Sequence, residues 1–275
     1  MLLFGRRKGL PIGTIVSVPA GIENRYVPGS GVGASNIAVR RHKLLKATPV
    51  KKQPIIAPTV TYGSMSFDGI TSNLFNADGI TVGASAFSFE GYFYLTTDLT
   101  GNRMVIFGAN YAGPASGGLS ISILTDTQIN IDNLGISSTT FTVSTIVKEQ
   151  WFHLAVVRNS SNEETVFLNG VRSTDGVITD SITYTATNYI GCWNSGGNGN
   201  DGLLAGNLAG VRLVIGSTAY DPQSATITVP PQPLPNITDT VLLLNTPNNG
   251  DYIKDTSVTN TIFVNNNVGI STAHP

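Results

Sequence analysis

The chain has 275 residues, of which 41% are hydrophobic and 12% charged, and its single cysteine, Cys192, excludes an internal disulfide framework. That length accommodates one large domain with an appendage and a core that needs neither disulfides nor metal. The net charge of −1 is unevenly divided: residues 1–60 hold ten of the sixteen Lys and Arg against one acid, Glu23, a balance of +9, and the remainder stands at −10.

At the N-terminus the apolar stretch Met1 to Phe4 is too short for a signal sequence and precedes Arg6, Arg7 and Lys8 instead of following them, so no secretory leader is expected. No run of eighteen apolar residues exists, so no membrane association is predicted. Residues 1–60 read as an extended arm, because Pro11, Pro19, Pro28, Pro49, Pro54 and Pro58 interrupt every apolar patch. Within it Ser35 can cap a helix sharing Ile37, Arg41, Leu44 and Leu45 on one face, and an extended strand fits the same residues. A charge of this sign points the arm at an acidic surface. Its docking candidates are Arg6, Arg7, Lys8, Arg40, Arg41, Lys43, Lys46, Lys51 and Lys52. Interleaved aromatics are missing there, so nucleic acid is not the expected partner.

From residue 61 onward the period changes to two. Phe87, Phe89, Phe93 and Leu95 alternate with Ser88, Glu90, Tyr92 and Tyr94, the pattern of a half-buried strand. Leu119, Ile121 and Ile123, then Ile129 and Ile131, form a hairpin across a polar turn. Further strands are predicted at 140–147, 151–158, 165–169, 171–174, 182–190 and 211–216. Asn169-Gly170 is a type I′ turn signal and fixes a tight hairpin. Short strands between Gly and Asn turns, without helical periodicity, predict an all-β sandwich or jelly roll. Residues 229–275 then supply a Pro-rich connector and closing strands at 241–244 and 261–264, so that 61–275 is one domain.

Five segments, in order, carry a resemblance: Ser66 to Gly69, Phe87 to Tyr94, Trp151 to Arg158, Val166 to Gly170, and Leu208 to Gly216. Together they resemble the laminin-G, or concanavalin A-like, jelly-roll domains. Ala219-Tyr220, the Pro-rich stretch and Asp255-Thr-Ser resemble the variant found in tail and capsid proteins of bacteriophages. The resemblance implies a virion structural protein that docks by its arm to capsid or tail and displays the sandwich as a decoration or fibre-like knob. It also implies homo-oligomers and virion partners. The alternative is a lectin-like adhesin for host-surface glycans, and a glycoside hydrolase stands behind both.

Trp151 and His153 share a strand face with Ala155 and Val157, so Trp151 is expected in the core and His153 at its rim, in a structural role. Arg212 is expected on the opposite face from Val211 and Leu213, solvated or pairing subunits. Cys192 reads as a small buried hydrophobe. The Glu-x-Asp-x-(x)-Glu pattern of glucanases on this fold is missing, and Glu163 and Glu164 are adjacent in a polar loop, so no enzyme and no catalytic residue is expected. The carbohydrate candidates are Trp193, Asn194, Asn198, Asn200 and Asp201 in one loop and Tyr111 in another: indole stacks on apolar sugar faces while amides and carboxylates pair with hydroxyls. The competing reading is a plain Gly/Asn turn. No cofactor is expected except calcium, for which the resemblance makes Asp201 with loop carbonyls a candidate.

Overall fold

The computed structural model describes residues 62–98, 103–109, 117–133, 135–179, 181–194, 200–246 and 253–275. The arm, with its docking candidates and helix option, lies outside them. So do Tyr111, Asn198 and the side chain of Asn200.

The described residues form strands and no helix. In chain order these are β1 (Ser64–Asp68), β2 (Asn73–Gly83), β3 (Phe87–Leu95), β4 (Met104–Ala109), β5 (Leu119–Thr125), β6 (Gln128–Asn133), β7 (Ser137–Thr142), β8 (Trp151–Arg158) and β9 (Glu163–Leu168). There follow β10 (Val171–Arg172), β11 (Ile178–Thr179), β12 (Tyr184–Ile190), β13 (Trp193–Asn194), β14 (Asn200–Asp201), β15 (Ala205–Ile215), β16 (Thr240–Leu244), β17 (Val264–Asn266) and β18 (Gly269–Ser271). A nine-stranded antiparallel sheet runs β10-β9-β8-β3-β15-β1-β18, with β11 on β9 and β16 on β15. A seven-stranded sheet runs β17-β2-β12-β4-β5-β6-β7, and β13 and β14 pair separately. The two large sheets make a jelly-roll sandwich, as the alternation predicts.

Period two explains the core. Phe87, Phe89 and Phe93 from β3, Leu154 and Val156 from β8, and Val211 and Leu213 from β15 meet Phe107, Ile121 and Ile131 of the other sheet. Phe89 stacks on Phe107 across the layers with centroids 5.0 Å apart. The Asn169-Gly170 turn has positive φ at both positions, 49° and 82°, and pairs Val171 with Leu168.

The outer face of the nine-stranded sheet departs from expectation. Both faces of β3 are buried up to Phe93, because residues 217–239, between β15 and β16, lie across that sheet as a strap. Ala219 donates its amide to Ser88 Oγ at 2.8 Å, Ile227 N–H reaches Gly170 O at 2.8 Å, and Asn245 clamps both backbone groups of Leu234. Two small apolar clusters form beneath it. One joins Ala155, Val157 and Phe167 to Tyr220 and Ile227; the other joins Tyr92, Ala209, Leu234 and Leu243 to Trp151 and Val229.

Four expectations are corrected by the structure. Arg212 is neither solvated nor free to pair subunits: it is 3% exposed and its Nε donates to Glu90 Oε1 at 2.9 Å. Trp151 is half-buried against an outer cluster instead of lying in the main core, and His153, 1% exposed, is sealed under the strap instead of standing at a rim. Glu163 and Glu164 belong to β9, not to a loop. The closing segment predicted at 261–264 begins its strand only at Val264.

The turn after β1 explains Asp68 in the Ser66-Phe-Asp-Gly69 motif. Its Oδ1 accepts the amides of Ile70, Thr71 and Ser72 at 2.8–2.9 Å, and Oδ2 accepts the Thr71 hydroxyl. Those backbone donors hold the carboxyl well below the usual carboxylate range. The resulting stability is present above the unfolded carboxyl's pKa of about 4 and is lost as pH falls below it. D68A is expected to cost about 1 kcal/mol at pH 7 by urea denaturation, and the gap from wild type should narrow at pH 3.

Candidate functional site

A cleft of about 730 Å³ opens where β1, β3 and β5 end and β4 and β15 begin. Thr97, Asp98, Arg103, Leu124, Trp193 and Asp201 are among the residues that line it. Its wall is built by the short β13–β14 ladder, in which Trp193 pairs with Asp201 and Asn194 with Asn200. The ladder is pinned to β4: Val105 N–H reaches Gly202 O at 2.7 Å, Gly191 N–H reaches Ile106 O at 3.0 Å, and Leu204 N–H reaches Gly191 O at 2.8 Å. Gly202 has φ 62°, and a Cβ there would stand 2.6 Å from Val105 Cγ2. Gly108 lies directly under the turn, where a Cβ would be 2.1 Å from the carbonyl oxygen of Cys192. The sequence therefore lets the Cys192–Trp193 segment seat against β4 by keeping position 108 bare beneath it.

The chemistry of the cleft is mixed. The Arg103 guanidinium sits over the Trp193 ring, 4.8 Å from its centroid, and its Nη1 is 2.9 Å from Asp132 Oδ2. One face of the indole is thus covered by a cation. Trp193 Nε1 is buried with no hydrogen-bond partner among the described residues. Lys148 pairs with Asp98 at 3.1 Å. Asp201 Oδ1 accepts the Gly202 amide at 2.7 Å. Asn194 turns away from this chemistry, donating to Tyr189 Oη at 3.1 Å. Trp193 and Asp201 come together as predicted candidates; Arg103, Asp98 and Thr97 are additions that sequence reading missed, since each sits in an ordinary polar segment with no motif. Among the described residues no group of three or more His, Cys, Asp or Glu is placed to hold a metal ion.

Other ionisable side chains are committed elsewhere. Glu90, fully buried, meets Arg212, His153 Nε2 at 3.0 Å and the Tyr220 hydroxyl at 2.6 Å. Burial pushes its carboxyl up, but the His153 hydrogen bond, the Arg212 charge and the Tyr220 hydroxyl outweigh it and hold it below the usual range. Burial also raises the Tyr220 and Tyr92 hydroxyls. Glu164 faces inward to Tyr184 Oη at 3.3 Å, whereas Glu163 faces out toward Gln223. Arg158, the last residue of the Trp151 to Arg158 segment, is fully buried and donates to the carbonyls of Ile182, Gly83 and Ser85 while lying over the rings of Phe87 and Tyr184. Cys192 is buried, and burial pushes its thiol up to about 12.

The laminin G family model described as "Concanavalin A-like lectin/glucanases superfamily" matches residues 68–214, more than half of the chain. The chain belongs to the concanavalin A-like lectin/glucanase superfamily. Among solved structures it is similar to the heptameric SAP-like pentraxin of Limulus polyphemus, at TM-score 0.51 and 15% identity, over 79% of this chain and 98% of that one. It is similar also to a Bacteroides ovatus protein assigned a carbohydrate-binding role, at TM-score 0.52 and 15% identity, over 79% of this chain and 62% of that one. At such identities the likeness concerns the fold. No curated protein sequence matches the chain. The superfamily match begins at Asp68 and ends within β15, so the cleft lies inside it while the strap and closing strands follow it.

Proposed function

We propose that this member of the concanavalin A-like superfamily is a non-enzymatic carbohydrate-binding module, with its glycan seated in the cleft beside Trp193. The observation that carries this reading is the meeting of an indole, a guanidinium, two carboxylates and a hydroxyl around one opening of sugar size. Indole gives an apolar surface, Arg103 donates, and Asp98, Asp201 and Thr97 accept, which together suit a polyhydroxylated ring. The carbohydrate-binding assignment of the Bacteroides ovatus protein supports the same reading. Binding is favoured over turnover because the Glu-x-Asp-x-(x)-Glu pattern of glucanases on this fold is missing from the sequence. Asp201 with loop carbonyls would hold a calcium ion in the same cleft, and glycan titration with calcium and with chelator tests whether the ion takes part.

On a glycan array the full chain is expected to retain at least one ligand, and W193A should weaken it by tenfold or more in titration calorimetry. Undiminished binding by W193A would overturn the cleft as the site.

The charge division favours a second element: the +9 arm anchors the module to a larger assembly, for which the bacteriophage-like variant of the fold makes a virion the proposed location and its capsid or tail proteins the partners. Replacing Arg6, Arg7, Lys8, Arg40, Arg41 and Lys43 by Gln in the full chain should abolish incorporation into particles while leaving the sandwich's melting temperature unchanged. Normal incorporation would defeat the anchoring role.

A further inference from the structure

The strap leaves one strip of the nine-stranded sheet's outer face open, and the register lines up its side chains. Trp151 on β8 is directly opposite Tyr94 on β3, Tyr94 opposite Asn207 on β15, Asn207 opposite Ser66 on β1, and Ser66 opposite Gly269 on β18. Trp151, Tyr94, Asn207 and Ser66 are all half-buried and Gly269 is exposed, so the row is accessible along its length. The rings of Tyr94 and Trp151 lie 5.5 Å apart at 51°. Trp151 is braced from beneath by the cluster of Tyr92, Ala209, Leu234 and Leu243. The indole N–H, the phenol, the amide and the hydroxyl of this row make no hydrogen bond to any described residue, although each is held in place by its strand.

We infer that this row is a second ligand site, separate from the Trp193 cleft, that takes a neutral oligosaccharide lying across the strands. Adjacent strands are about 4.8 Å apart, so Trp151 to Ser66 spans roughly 14 Å, enough for more than one sugar ring. Two aromatic faces at one end offer stacking, and Asn207 and Ser66 offer a donor and acceptors to hydroxyls. No charged side chain belongs to the row, which disfavours nucleic acid and acidic peptides and selects an uncharged, polyhydroxylated partner. Glycine at position 269 keeps the far end flat.

The protein's only two tryptophans are Trp151 and Trp193, so fluorescence can separate the two sites. In the full-length W193F variant, emission comes from Trp151 alone. Titration with cellohexaose, xylohexaose and mannohexaose is expected to give a saturable change with at least one of them. Adding Y94A should weaken that response by about tenfold, and N207A, which removes the amide of the row, should weaken it severalfold. W151F reports on Trp193 in the same way. A response in W151F with none in W193F overturns this inference and spares the cleft; the converse spares this site and removes the cleft. A W193F response unchanged by both Y94A and N207A also overturns it, and silence in both variants removes both sites.

Discussion

E90Q is expected to destabilise the protein by about 3–5 kcal/mol at pH 7, the largest effect of any single substitution considered. Glutamine keeps the shape of the side chain and can still bond His153 and Tyr220, but it leaves the Arg212 guanidinium buried without a counter-charge. The loss should fall on the strap, because Arg212 Nη1 also holds Pro235 O at 2.7 Å and Tyr220 reaches Glu90 from the strap itself. Removing both charges in E90Q/R212M is expected to cost about 1–3 kcal/mol less than the sum of the single changes, since no ion is then stranded. The pH dependence has a definite sign. The folded carboxyl titrates below its unfolded value of about 4.3, so its contribution is complete above that pH and is lost as pH falls further. Wild type and E90Q should therefore converge in acid. Urea denaturation from pH 7 to pH 3 reads this directly, and parallel curves would contradict the ion-pair account.

G108A is expected to cost about 3 kcal/mol and to weaken ligand binding at the Trp193 cleft together with stability. The added methyl would meet the Cys192 carbonyl oxygen at 2.1 Å and its carbon at 2.9 Å. That obstacle is backbone, which cannot rotate aside as a side-chain tip can. The relief is a shift of the 191–194 segment away from β4, which carries Trp193 with it and breaks the Gly191 to Ile106 hydrogen bond. Near-ultraviolet circular dichroism of Trp193 in a W151F background would show the displacement. A stable G108A protein with unaltered binding would show that the turn does not position the cleft.

The sandwich was legible because its signals are local. Alternation in Phe87 to Leu95 and in Leu119 to Ile131 names the inward residues correctly, and Asn169-Gly170 states its own turn. What alternation cannot state is what covers the second face. Ser88, Glu90, Tyr92 and Arg212 look like a solvent face by composition, yet a segment more than a hundred residues after Tyr92 buries them. Proline and glutamine in residues 229–235 carry no periodic sign of where they lie, so the alternation around Arg212 points to a solvated or subunit-pairing side chain. The site was legible by chemistry alone at Trp193 and Asp201. Arg103 was not, because its pairing with the indole is created by the β4 and β13 neighbourhood and leaves no trace in sequence spacing. The cross-strand row at Trp151 was hidden for the same reason: its four polar members come from four separate strands.

The environment of Cys192 has a practical side. The only thiol of the chain is enclosed against Gly108 and is held protonated at any ordinary working pH. Alkylating and maleimide reagents need a thiolate that can be reached, and here neither condition is met. A single cysteine introduced at an exposed position such as Thr272→Cys or Thr96→Cys should thus react alone, with no background from the native residue. The molecule is in this sense ready to take one handle for dyes, spin labels or surfaces, and the orientation of the sandwich on such a support follows from where that handle is placed.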